Sequence, residues 1–266
     1  MRFFLHLSYS GFNYRGWQRQ SNVISVQEII ENRLTSIFKE PVFITGCGRT
    51  DAEVNANQYF AHFNREDYWD FDLMFRLNKC LPDDISIHDI IPVDNNHHAR
   101  YNAKRRSYDY YIHTEKNSFL RKYSTLYTES ILDIDKMGEA IEIIKRQKDF
   151  RAFCITPESH KSTDCIVYDV KLFTSLDHKK IRFHIECNRF LRGMIRILVG
   201  HLFAIGSNKQ SLETFESHFI SNQTPEKFDV AHPQGLYLSK VEYPYLSIPT
   251  KPIFFGDSDD YWEEVV

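Results

Sequence analysis

Hydrophobic residues dominate Arg2–Tyr9, an aromatic-rich run that predicts a strand. A polar stretch framed by glycines, Gly11 to Gln20, reads as a loop. Ser25-Val26-Gln27-Glu28 has the form of a capping box, in which the serine hydroxyl and the glutamate carboxylate satisfy orphan helix N–H groups. Val26, Ile30, Leu34 and Ile37 then recur at helical spacing, predicting a helix to about Phe38. Val42-Phe43-Ile44 and Tyr59 to Phe63 read as strands, with a turn from Gly46 to Ala56 between them. A short helix over Phe71–Asn78 stops before Pro82, and Ile85–Ile91 reads as a strand. This β–α–β–β–α–β-like order is that of ferredoxin-like α+β units.

The second half mixes the same elements. Ser107–His113 is strand-like. Met137, Ala140, Ile141 and Ile144 mark a helix after Asp133. Ile166, Tyr168, Val170 and Leu172 alternate, as do Ile181, Phe183, Ile185 and Cys187, predicting two strands. Leu191, Met194, Ile195, Leu198 and Leu202 predict a long buried helix from Phe190 to about Ile205. Leu212–Phe219 reads as a further helix and Gly235–Tyr243 as a last strand, with an extended surface tail after Pro244. The expected organisation is an α+β half over 1–102, a second over 103–244, and an acidic tail over 245–266. Two such halves suggest a pair of sheets with a cleft where they meet.

Composition narrows the class. With 266 residues, 42% hydrophobic and 15% aromatic, the chain has the material for a real core and is not disordered. No apolar run is long enough to span a membrane, and Met1 to His6 has no signal-peptide form, so a cytoplasmic protein is expected. The net charge of −3 argues mildly against a nucleic-acid binder. The acidity is local, however: Asp257, Asp259, Asp260, Glu263 and Glu264 lie in the last ten residues. Without the segment from Tyr245 onward the body carries 32 cations and 31 anions. Any phosphate-binding surface must then be a patch. Five scattered cysteines without a C-x-x-C pair read as reduced thiols, and no Cys/His cluster has metal-ligand spacing.

Four segments carry candidate chemistry. Gly46-Cys47-Gly48-Arg49-Thr50-Asp51-Ala52-Glu53 sets a cation and an anion on a two-glycine turn. It is either a plain turn, with Thr and Asp bonding their own backbone, or an Asp presented at a cleft as nucleophile or general base. Arg100 to Tyr111 runs four cations, Arg100, Lys104, Arg105 and Arg106, into a tyrosine-rich strand. That is either a solvated loop and edge strand or an RNA surface, with cations for phosphates and a ring for base stacking. Asn188 to Arg196 places Arg196 in an otherwise apolar helix. A buried Arg either snorkels outward or finds a carboxylate, for which Asp51 is the natural choice. Gly11 to Gln20 interleaves aromatics with Arg15, Gln18 and Arg19, as a packed surface loop or an RNA contact. A carboxylate-pair hydrolase built on Asp83-Asp84, or on Asp51 with Glu53, is disfavoured because adjacent carboxylates on one loop rarely lie at catalytic separation.

Taken in order, these segments resemble the tRNA pseudouridine synthase A family over roughly residues 2 to 244. Tyr9-Ser10-Gly11, Gly16-Trp17-Gln18 and Gln20 resemble its opening signature, and Gly48-Arg49-Thr50-Asp51-Ala52 its catalytic one. Leu81-Pro82-Asp83-Asp84-Ile85, His98-Ala99-Arg100 and Arg106-Ser107-Tyr108-Asp109-Tyr110 are similar to its middle signatures. Asp149-Phe150, Ala152-Phe153, Phe190 to Gly200 and Ala231 to Leu238 follow the pattern of its second half. One G-R-T-D is weak; eight ordered matches are not.

The resemblance implies a pseudouridine synthase fold, α+β, with two ferredoxin- or RRM-like halves forming a central mixed, mainly antiparallel sheet. It implies isomerisation of uridine to pseudouridine in the tRNA anticodon stem-loop, at positions 38, 39 and 40. It also implies a homodimer that needs neither cofactor nor metal. By position, Asp51 falls on the nucleophile, Tyr108 on the tyrosine that stacks on the target uracil, and Arg196 on the arginine that pairs with the Asp. Arg49, Gln18, Arg15, Arg19, Arg100, Lys104, Arg105 and Arg106, with Arg189 and Arg192 behind them, are the expected substrate contacts. A non-catalytic RNA-binding protein on the same scaffold is the alternative.

The chain departs from the family pattern in one place. Where that pattern continues Gly-Val-His-Ala, this sequence has Glu53-Val54-Asn55-Ala56. If position 53 needs a positive φ, Glu pays strain there. Its charge, two residues from Asp51, acts against any second anion at the turn. Asn55 lacks an imidazole. These changes bear on substrate choice and rate more than on fold.

Overall fold

The computed structural model describes residues 1–129, 131–221, 229–251 and 261–265. In chain order its elements are β1 (Arg2–Tyr9), α1 (Val26–Phe38), β2 (Thr45–Gly46), β3 (Asn55–Asn64), α2 (Leu73–Cys80), β4 (Ile85–Val93) and β5 (Arg105–His113). There follow β6 (Thr125–Leu126), α3 (Ile134–Lys145), β7 (Val167–Ser175), β8 (Lys180–Cys187), α4 (Met194–Gly206), α5 (Leu212–Ser221), β9 (Leu236–Glu242) and β10 (Trp262–Glu264). The chain divides into two compact units, Met1–Arg106 with Tyr237–Lys251, and Ser107–Leu236 with the C-terminal segment.

In the first unit the strands lie in the order β9-β3-β1-β4, with β2 on β3. β1 pairs antiparallel with both β3 and β4, and β9 adds to β3 in parallel at Asn55–Tyr237 and Ala56–Leu238. The apolar positions of β1 and β3 supply the core, where Phe4, Leu5, Leu7, Tyr59, Phe60 and Phe63 are fully buried. Half of the predicted capping box forms at the start of α1: the Glu28 N–H donates to the Ser25 hydroxyl at 3.3 Å, whereas the Glu28 carboxylate lies 3.6 Å from Arg19. α2 is capped by Asp72, whose carboxylate accepts from the Phe75 N–H at 2.9 Å.

The expected strand at Val42–Ile44 does not form. The Val42 N–H donates to Thr35 Oγ1 (3.1 Å) and the Ile44 N–H to Glu31 Oε1 (3.0 Å), while Gln27 Nε2 donates to the Ile44 carbonyl. Side chains of α1 thus take the backbone groups a ladder would have used. Only Thr45 and Gly46 pair with β3, and β3 itself starts earlier than expected, at Asn55.

In the second unit the strands lie in the order β10-β7-β8-β5, with β6 on β5. β7 and β8 pair antiparallel with a register shift between Val167 and Asp169. Val170 and Leu172 are fully buried, whereas Ile166 and Tyr168, before and at that shift, are exposed. α3 buries Met137, Ala140, Ile141 and Ile144 as their spacing predicts. Phe150 and Phe153 pack with Phe219 of α5, with the Phe153 and Phe219 rings 4.4 Å apart. The Asp149 to Phe153 signature therefore serves the core.

α4 starts at Met194, not Phe190. Gly193 sits before it at φ 76°, a left-handed conformation that an L side chain resists, so residues 190–193 turn into the helix rather than belonging to it. In the tail, Trp262–Glu264 pair antiparallel with β7; Pro252 and Gly256 lie outside the described residues.

Candidate active site

The candidate Asp lies on a turn that is exposed at its tip and anchored at its base. Asp51 and Arg49 are exposed, while Cys47, Thr50 and Val54 are buried. The opening loop braces this turn from one side. The Trp17 N–H donates to the Thr50 carbonyl (3.2 Å) and the Glu53 N–H donates to the Tyr14 carbonyl (3.1 Å). The Tyr9 and Thr50 hydroxyls share a bond of 2.8 Å. The Gly11 N–H donates to Asn55 Oδ1 at 2.9 Å. Tyr59 OH donates to the Gly48 carbonyl, and its ring stacks on Trp17 at 4.0 Å. Two glycines make this approach possible: a Cβ on Gly11 would lie 2.1 Å from the Val54 carbonyl oxygen, and one on Gly46 would lie 2.1 Å from Tyr59 OH.

The opening G-F-N-Y-R-G-W-Q segment is thus chiefly a brace for the Asp turn, and two of its three aromatics are buried. Tyr14 and Trp17 are buried, and Tyr14 OH donates to the Asp84 carboxylate of the Leu81 to Ile85 signature. These scaffold roles of Tyr9, Tyr14, Thr50, Asn55 and Tyr59 were not read from the sequence. The one signal was their clustering around the recognisable motifs.

Several of the expected phosphate contacts have partners within the protein. Arg106 Nη2 donates to the carbonyls of Cys47 (2.7 Å) and Arg100 (3.0 Å), tying the start of the Asp turn to the 97–102 loop. Arg19 lies against the buried Glu31 at 3.2 Å and Glu28 at 3.6 Å. Arg105 is 3.8 Å from Glu242. Arg15 pairs with Glu53 at 3.7 Å. Gln18, Arg49, Arg100 and Lys104 are exposed. The 97–102 loop is itself held: the Ala99 N–H donates to His62 Nδ1 (3.2 Å), and Tyr243 OH donates to the Ala99 carbonyl (2.6 Å). Burial pushes the Cys47 thiol up to about 11, against the opposing pull of the Arg106 charge, so it stays protonated and is no nucleophile at neutral pH.

In the second unit, Tyr108 sits on β5, 9% exposed, with its ring edge-on to Phe190 at 4.8 Å. Its neighbour Asp109 is buried and bound by Arg182 Nε (2.7 Å) and His184 Nδ1 (3.0 Å). Arg196 lies in the first turn of α4, half-buried. Its Nε donates to the Ala231 carbonyl at 2.7 Å, and the Ala231 N–H donates back to the Arg196 carbonyl at 3.0 Å. The choice between snorkelling and pairing is thus partly answered: Ala231 fixes the guanidinium by its inner nitrogen. Gly200, one turn on, lets the 229–231 segment lie against α4, since a Cβ there would be 1.8 Å from the Asp229 carbonyl oxygen. Arg189 Nη2 reaches His160 at 3.4 Å, and Arg192 is exposed.

The structure thus offers an exposed Asp on a braced turn in one unit, and a tyrosine strand and an arginine at a helix start in the other. The family model that matches is that of tRNA pseudouridine synthase, over residues 147–244. The chain is 36% identical over 246 residues to the tRNA pseudouridine synthase A of Porphyromonas gingivalis, covering 91% of this chain and 97% of the relative. It is 39% identical over 246 residues to that of Azobacteroides pseudotrichonymphae, with the same shares covered. It is 38% identical over 254 residues to that of Wigglesworthia glossinidia brevipalpis, covering 91% and 92%. The chain belongs to the tRNA pseudouridine synthase A family and has its pseudouridine synthase fold.

Proposed function

We propose that the protein isomerises uridine to pseudouridine in the anticodon stem-loop of tRNA, at positions 38 to 40. The reaction breaks the C1′–N1 bond, turns the uracil and joins C1′ to C5; the proton lost from C5 is balanced by one gained at N1. No electrons or groups are exchanged, so no cofactor is required. The target base must leave the helix, at a cost of a few kcal/mol of unstacking. Tyr108 offsets part of this by stacking, worth about 1–3 kcal/mol. Asp51 acts as the anion that attacks the sugar or base, or takes a proton from the sugar. The family resemblance gives Arg196 the role of its partner. Arg49, Gln18, Arg100 and Lys104 contact the RNA backbone, and the protein works in the cytoplasm as a homodimer.

The observation that carries this reading is the exposed Asp51 on a turn whose base is bonded to Tyr9, Tyr14 and Trp17. Such bracing holds a reacting group in place at no cost when substrate arrives. The test is incubation with unmodified tRNA followed by pseudouridine mapping. Wild type forms pseudouridine in the anticodon arm and Asp51→Ala forms none. Equal product from both would overturn the assignment of Asp51. Salt-sensitive tRNA binding without product from wild type would instead mark a non-catalytic RNA-binding protein.

A further inference from the structure

We infer that Glu53 is a specificity residue: it holds the Arg15 guanidinium beside the Asp51 turn and releases it only to RNA whose backbone displaces the carboxylate. The inference rests on the proposed action on tRNA and adds to it what limits phosphate binding at that turn.

Five described residues other than glycine have positive φ, namely Asn22, Lys39, Glu53, His178 and Asn208. The two asparagines suit that conformation, since a short amide can bond its own backbone. Lys39 closes α1, and His178 lies in the tight connection between β7 and β8. Glu53, at φ 64°, is the one in the candidate active-site turn, and glutamate has no local way to relieve left-handed backbone. The fold imposes the conformation. The Glu53 N–H is bound to the Tyr14 carbonyl, the Val54 N–H to the Asp51 carbonyl at 3.2 Å, and Gly11 packs directly on Val54.

A glycine would meet those demands without strain, so the side chain must be explained by something other than the backbone. What it does is reach Arg15: Nη1 and Oε1 are 3.7 Å apart, and the two side chains are 64% and 36% exposed. That distance is an attraction of charges without a close hydrogen bond. An exposed pair of this kind adds little to stability. It is also easily exchanged, because a phosphate presents more acceptors and more charge than one carboxylate. While the pair stands, Arg15 is neutralised as an RNA contact. Once RNA takes Arg15, the Glu53 carboxylate is left near the incoming backbone and repels any phosphate that runs too close. Glu53 thus lowers affinity for RNA in general and lowers it least for RNA whose path leaves the carboxylate clear.

The experiment measures binding of unmodified tRNA and of an unrelated stem-loop RNA across a salt series, beside steady-state kinetics. In Glu53→Gln the tRNA Kd and KM fall about 2–5-fold, by more than any change in kcat. For the unrelated RNA the slope of log affinity against log salt steepens by about 0.7–0.9, the value of one further phosphate contact, and for tRNA it changes less. The unrelated RNA gains more than tRNA does. Arg15→Ala weakens tRNA binding alone and removes most of the gain in the Glu53→Gln background, leaving only the relief of carboxylate repulsion. Glu53→Gly, which also relieves the backbone, shows the same shift in Kd with a raised Tm.

Unchanged Kd and slope in both Glu53 variants would overturn the inference, as would a gain that Arg15→Ala leaves undiminished. Binding is read without turnover. A wild type that forms no pseudouridine defeats the proposed function, whereas an active wild type with indifferent Glu53 variants defeats only this inference.

Discussion

The Asp51 turn and the start of α4 present their candidate side chains by opposite means. Around Asp51, the loop from Gly11 to Trp17 and the hydroxyls of Tyr9 and Tyr59 supply a dense set of bonds to residues 48–55. Around Arg196, a reciprocal pair with Ala231 fixes the inner nitrogen, made possible by the close approach at Gly200. A turn has no repeating hydrogen-bond ladder, so each of its backbone groups needs its own partner. A helix satisfies its own backbone, so a side chain on it needs only its direction fixed. The loop-borne residue should therefore fail through loss of geometry at many positions, and the helix-borne one at very few.

The strongest way to break that contrast is to add one methyl group in each region. Gly11→Ala sets a Cβ against the Val54 carbonyl, which cannot move without opening the Asp turn. It should cost about 1–3 kcal/mol in urea denaturation, as overpacking does. It should also lower kcat by about 100-fold, since a shift of about 1 Å in a reacting group costs that much. Gly200→Ala should destabilise comparably while moving the 229–231 segment off Arg196. If Gly11→Ala kept full activity, the bracing would not be what positions Asp51.

Removing single bonds is the next test. Asn55→Ala leaves the buried Gly11 N–H without its 2.9 Å acceptor and should cost about 1–3 kcal/mol of stability by urea denaturation. Arg196→Lys loses the Nε donor to Ala231 with little loss of stability. Its kcat should fall about 10–100-fold, the equivalent of the ~1.5–3 kcal/mol of a hydrogen bond to a charged group. Equal effects of the two changes on stability would erase the contrast.

Acid separates His6 and His62 of the first unit from His184 of the second, where His113 and His201 are also lowered by burial. In the first, His6 and His62 are held down to about 4, mainly by burial. Between pH 6.5 and 4 their unfolded forms bind protons that the folded forms refuse, so this unit loses stability as pH falls through that window. In the second, burial pulls His184 down, but the hydrogen bond and charge of Asp109 outweigh it and raise its pKa. Its contribution is full below pH 6.5 and is lost as pH rises through the raised value. Chemical denaturation from pH 4 to 8 should show His6→Gln flattening the acid limb and His184→Gln flattening the alkaline one.

The smallest expected effect is at the rim. Lys104→Ala, at an exposed cation, should leave stability within about 0.5 kcal/mol. It should reduce the salt slope of tRNA binding by about 0.7–0.9.

Periodicity placed α1, α2, α3 and α5 closely, because an amphipathic stripe is written into neighbouring residues. It failed where long-range partners compete. Val42–Ile44 has strand composition, yet Thr35 and Glu31 take its N–H groups. Phe190 to Gly193 has helix-compatible spacing, yet Gly193 at φ 76° turns the chain before α4 begins. The candidate site was legible as a set of motifs, but not as a division of labour. Arg106 and Arg19 look from sequence like phosphate contacts, and in the fold they bond Cys47, Arg100, Glu28 and Glu31.

Family membership, the order of most elements and the candidates Asp51, Tyr108 and Arg196 follow from the linear chain, since motif order and local hydrophobic spacing survive without knowledge of contacts. The tertiary structure alone decided that Glu53 sits at positive φ against Arg15, that Asn55 clamps Gly11 and that Ala231 aims Arg196. Asn55 lies 44 residues from Gly11, and Ala231 lies 35 from Arg196. A hydrogen bond across such a separation depends on the whole path of the backbone between its ends, which no local pattern encodes.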